Sequence, residues 1–119
     1  LKLKTNTGDV FLDDIIGSTE ISSNLGNVKV ELNYDPSFKN SYHSIHTFEG
    51  DINIKIPRNL SMSLVGQIGP KRTTQDITSE IPLNFFLDNE KITGKASINN
   101  GTIPINLFSS SGFIVIKDY

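Results

Sequence analysis

An all-β domain is what this sequence predicts, and three observations carry the expectation. Ile, Val and Thr together number 30, while Ala occurs once, at Ala96. β-Branched side chains suit a pleated surface, and a helical domain would use far more Ala. Next, one short phrase recurs. Thr5-Asn6-Thr7-Gly8-Asp9-Val10-Phe11-Leu12 is answered by Ser23-Asn24-Leu25-Gly26-Asn27-Val28-Lys29-Val30, and again around Gly50, Gly101 and Gly112. Each time small or polar residues lead to a glycine, and an alternating apolar run follows. Lastly, no segment holds an apolar spacing of 3.6 residues over a helix-length window. Repetition of one phrase favours a short single-domain β-solenoid over residues 1–119, with each coil stacked on the previous one. A β-sandwich is the alternative that the same strands would satisfy.

The elements follow in order. Leu1, Leu3 and Thr5 alternate with Lys2 and Lys4, a strand with one wet face. Gly8-Asp9 turns the chain, and Val10 and Leu12 share a face. Asp13-Asp14 and Gly17 mark further turns. Glu20-Ile21-Ser22 reads as a short strand, Gly26-Asn27 as a turn, and Val28, Val30 and Leu32 as an inward set opposed to Lys29 and Glu31. The stretch 33–44, with Pro36 and three aromatics, breaks the rhythm and reads as an extended loop or a splayed edge segment. Ile52, Ile54 and Ile56 form the cleanest alternation, ended by Pro57, which has no N–H to donate. Leu60, Met62 and Leu64 alternate next, and 66–79 is irregular. Ile81, Leu83, Phe85 and Leu87 again show period two, and 89–95 reads as a polar turn region. Ile103, Ile105 and Leu107 precede the final strand, Phe113 to Tyr119. The predicted core is Val10, Leu12, Val28, Val30, Ile52, Ile54, Ile56, Ile103 and Ile105.

Bulk properties exclude several classes. A formal charge of −2 argues against a nucleic-acid surface, which needs clustered Lys and Arg. The absence of cysteine removes disulfides and zinc–thiolate sites. No apolar run approaches the ~18 residues of a membrane span. Leu1 opens directly on a strand pattern with no signal segment, which predicts a longer native chain before it.

Candidate chemistry is sparse. The repeated glycines lack the phosphate-loop pattern and read as turns. Asp9, Asp13, Asp14 and Asp51 match no calcium-loop spacing. Asp9 and Asp51 are expected to bond N–H groups in their own turns. His43 and His46 fall on opposite faces of a strand, which argues against joint metal ligation. No catalytic residues, metal ligands or cofactor are expected. The best partner-binding residues are Tyr34, Phe38, Tyr42 and His43, rings in a polar stretch that could stack on sugars or anchor a protein. Lys55, Arg58, Lys71 and Arg72 read as solvated.

The phrases in residues 5–32, 46–57 and 94–117 resemble a bacterial putative-adhesin family of unknown function with repeated Gly-Asp-Ile/Val phrases. That resemblance implies a right-handed β-helix or toast-rack solenoid, exported to the cell envelope or outside the cell. Asn27 and Phe113 stand where an acidic residue or asparagine is common. The family carries no established catalytic residues. The function expected is a non-catalytic surface adhesion or scaffolding module that binds a protein or glycan. The alternatives are an envelope-stress or signalling accessory domain and a β-helix carbohydrate-active enzyme. Weak self-association through exposed strand edges, beginning with Leu1 to Thr5, is also expected.

Overall fold

A computed structural model describes residues 2–33, 41–57, 61–69, 76–88, 91–98, 101 and 103–118. All regular elements among them are strands: β1 (Lys2–Thr7), β2 (Val10–Ile15), β3 (Thr19–Leu25), β4 (Val28–Leu32), β5 (His43–Glu49), β6 (Ile52–Ile56), β7 (Met62–Ile68), β8 (Ile77–Ser79), β9 (Asn84–Asp88), β10 (Lys91–Ile98), β11 (Ile103–Ser109) and β12 (Ile114–Asp118). They form two sheets. The larger runs β1-β3-β5-β11-β7-β10-β9 and the smaller β2-β4-β6-β12-β8. The smaller sheet is parallel throughout. In the larger, β1 through β7 pair parallel and β10 and β9 are added antiparallel. The sheets are separate layers around one buried cluster, an arrangement that a sandwich also satisfies.

The repeated phrase explains the sheets. Around Gly8, Gly26, Gly50 and Gly112 the strand before the glycine lies in the larger sheet and the strand after it in the smaller one, whereas around Gly101 both β10 and β11 lie in the larger sheet. Apolar residues at equal offsets from the glycine therefore come into register. Val10, Val28, Ile52, Ile114 and Ile77 form one inward column. Leu12, Val30, Ile54 and Ile116 form the next. Opposite them, Leu3, Ile21, Ile45 and Leu107 line up in the larger sheet. Eight of the nine predicted core residues are buried, and Leu12 packs against the cluster partly buried.

The turns are held by a ladder of side chains. Asp9 Oδ1 accepts from the Asn27 N–H at 2.9 Å. Asn27 Oδ1 accepts from the Asp51 N–H at 2.9 Å. Asp51 Oδ1 accepts from the Phe113 N–H at 2.8 Å. The acceptor after each glycine thus serves the neighbouring turn rather than its own, which corrects the expectation for Asp9 and Asp51. It also accounts for Phe113: the last rung uses only a backbone N–H, which any residue but proline supplies. Three residues before the glycine, Thr47 and Ser109 each donate their hydroxyl to the Gly50 carbonyl, at 3.0 and 2.9 Å.

Three features depart from the sequence reading. β8 lies within 66–79, a stretch expected to be irregular, and pairs with β12. β11 and β12 do not stack beyond β7 and β8. They insert between the β5–β6 pair and the β7–β8 pair. Residues 91–95, expected to be a turn, begin β10, whose Ile92, Gly94, Ala96 and Ile98 face inward against β7. Gly94 and Ala96 blur the apolar alternation because Leu83 and Phe85 fill the space above Gly94.

Candidate functional site

The four predicted binding residues do not form one surface among the described residues. Tyr34 and Phe38 lie outside those residues. Tyr42 is 40% exposed just before β5, where its N–H donates to Ser18 Oγ at 3.0 Å and its carbonyl accepts from Thr19 N–H at 2.9 Å. His43 faces inward and is only 4% exposed. It stands between Thr19 and Ile105 in the larger sheet, with Nδ1 2.8 Å from Thr19 Oγ1. Burial lowers its pKa from 6.5 to about 4, because a charged imidazolium would lose its hydration. His43 is therefore a neutral core residue and not available to a partner. His46, an odd number of positions along the strand from His43, faces outward with its ring edge against Phe108 at 4.7 Å between centroids.

A different site emerges on the outer face of the smaller sheet. The phrase that aligns the core also aligns the outward residues. Phe11, Lys29, Asn53 and Val115, each third after its glycine, form one row across β2, β4, β6 and β12. Glu31, Lys55 and Lys117 form a second row two residues further on, with Asp13 beside them on β2. Together these rows line a groove of about 550 Å³. At its β2 end stands Phe11, 70% exposed. Lys29, Lys55 and Lys117 make no ion pair among the described residues, where Lys2–Glu20 at 3.4 Å is the one found. The groove can thus offer a ring face, an amide, three cations and two carboxylates to an extended ligand. Among the described residues no three His, Asp or Glu side chains converge as a metal site would require.

Sequence reasoning placed Lys29 and Glu31 at the surface but did not assemble this face. The signal was present in the alignment of the phrases with one another. Reading down the third and fifth positions after each glycine gives both rows.

No family model matches the chain, and no curated protein does. The fold resembles the crystal structure of a putative cell adhesion protein from Clostridium sporogenes, with a TM-score of 0.66 and 19% sequence identity. The match covers 99% of this chain and 54% of that one, so this chain spans about half the length of its structural neighbour. At that identity the likeness concerns the all-β fold.

Proposed function

We propose that this domain is a non-catalytic adhesion module of an exported bacterial envelope or surface protein, built as a short right-handed β-solenoid. In this reading each phrase is one coil, and the outer face of the smaller sheet holds a glycan laid across the strands. The groove carries the proposal. Phe11 supplies an exposed ring on which a sugar face can stack. Asn53 supplies an amide that both donates to and accepts from hydroxyls. Lys29, Lys55 and Lys117 favour carboxylate or sulfate substituents over neutral sugars. The adhesion description of the Clostridium protein supports the same direction without identifying a ligand.

Titration calorimetry with neutral and uronate-containing oligosaccharides tests this. Binding of the acidic oligomers is expected, weakened at least tenfold by Phe11→Ala and by Lys55→Glu, with the sugar recovered intact. Absence of binding to every oligosaccharide, or binding that neither substitution alters, would refute the site. Release of shortened sugars would refute the non-catalytic reading.

A further inference from the structure

Four strands end the two sheets: β1 and β9 in the larger, β2 and β8 in the smaller. A free edge offers unpaired N–H and C=O groups to any chain that can lie beside it. Folds blunt such edges with charge, bulges or short strands. Three of the four edges here are blunted. β1 carries exposed Lys2 and Lys4. β2 loses register between Leu12 and Ile15, where Asp14 takes a φ of 57°. β8 is three residues long.

β9 pairs without a bulge, and its one charged residue, Asp88, stands at its end. It reads Asn-Phe-Phe-Leu-Asp, and Phe85, Phe86 and Leu87 are 41%, 52% and 77% exposed. Phe85 and Leu87 lie on the core face, in register with Gly94 and Ile92. Phe86 lies on the outer face, with Lys95 Nζ 5.7 Å from its ring centroid. The apolar side chains thus stand at a sheet margin, where β10 is the one strand paired with β9 among the described residues.

We propose that β9 is a homodimer interface, in which two copies pair this strand antiparallel about a two-fold axis through Phe86. The occupant follows from the register. Opposed residues of an antiparallel pair share a face, so a two-fold centre must fall on a residue. Centred on Phe86, that residue meets the partner's Phe86, Phe85 meets the partner's Leu87, and Asn84 meets the partner's Asp88. All three apolar residues then face apolar residues, and no carboxylate opposes another. Centring on Phe85 sets Phe86 against Asn84, and centring on Leu87 sets it against Asp88. The sequence is therefore self-complementary in one register.

Area sets the strength. With ~150–250 Å² for a large side chain, the three leave on the order of 300 Å² exposed per copy. Two copies reach roughly half of the ~1,200 Å² at the low end of stable interfaces. The dimer is accordingly reversible and forms as concentration rises. It is independent of the groove, which lies on the other sheet.

Sedimentation of the full chain over a wide concentration range, with paired cysteine variants, tests the proposal. The mass should rise from monomer to dimer, and Leu87→Lys should abolish the rise while leaving the circular dichroism spectrum unchanged. The chain has no cysteine, so the background is clean. In the stated register the two Phe86 Cα atoms lie ~4.5–5.5 Å apart. That is within the ~4.4–6.8 Å that a disulfide spans. Phe86→Cys should therefore oxidise to a covalent dimer, whereas Leu87→Cys, offset by two residues from its counterpart, should not. A wild-type protein that stays monomeric, a dimer that survives Leu87→Lys, or equal cross-linking at 86 and 87 would overturn the proposal.

Discussion

Acidification should weaken this fold through one residue, His43. Its imidazole is buried between Thr19 and Ile105, and its pKa falls from 6.5 to about 4. In the unfolded chain the ring is hydrated and protonates near 6.5. Between those two values the unfolded state binds a proton that the folded state refuses, so stability must fall as pH falls. The contribution is fully present above pH 6.5, declines between 6.5 and about 4, and levels off below. At about 1.4 kcal/mol per pH unit, the whole window amounts to roughly 3 kcal/mol, as an upper figure. Urea unfolding at a series of pH values measures it. The comparison is with His43→Gln, which stays neutral throughout and can still bond Thr19. Wild type should lose more stability than the variant between pH 7 and 4, by about 2–3 kcal/mol. Parallel curves would refute the burial argument. A difference appearing only below pH 4 would place the ring's titration elsewhere.

Two further outcomes follow from the turns. A Cβ on Gly50 would overlap the Gly26 carbonyl oxygen, and backbone on both sides leaves nowhere to move. Gly50→Ala should therefore break the neighbouring rungs, Gly26 N–H to Glu49 O, Val28 N–H to Asp51 O and Asp51 N–H to Asn27 Oδ1, at about 1 kcal/mol each, lowering the urea midpoint by the equivalent of ~3 kcal/mol or more. Ser23 occupies the position of Thr47 and Ser109, yet its buried Oγ has no hydrogen-bond partner in the described structure. Ser23→Ala should accordingly leave thermal stability unchanged or slightly raised, and a loss above about 1 kcal/mol would reveal a partner for that hydroxyl.

The strands were legible wherever one sheet face alternated cleanly. Val28 to Leu32 and Ile52 to Ile56 carry inward apolar residues against outward Lys, Glu and Asn, and both form strands at those positions. β10 was hidden because its inward Gly94 and Ala96 are small, and at Gly94 Leu83 and Phe85 occupy the space a side chain would need. The placement of β11 and β12 was hidden for a different reason. Equal spacing from a glycine fixes which residues share a column but not the order of strands within it. His43 misled because a ring in a polar stretch looks available, whereas its phase relative to Ile45 already pointed it inward. The groove needed no new signal, only comparison of the outward positions of one phrase with those of the next.

The insertion of β11 and β12 also bears on how the molecule is made. β6 and β8 have no contact as neighbours until β12 lies between them, and β5 and β7 likewise wait for β11. Asp51 meets its hydrogen-bond donor on Phe113 across 62 residues of chain. Before residues 103–118 are delivered, β5, β7, β6 and β8 present four raw inner edges and an unsealed apolar face. Closing such long loops is slow, because their entropy is lost before the contacts that compensate for it form. The core should therefore close late, in one concerted step, and stalled chains ending before residue 103 should remain protease-sensitive. For a polypeptide threaded through a membrane before it folds, as the envelope reading requires, a core that cannot close prematurely keeps the chain fit for transport.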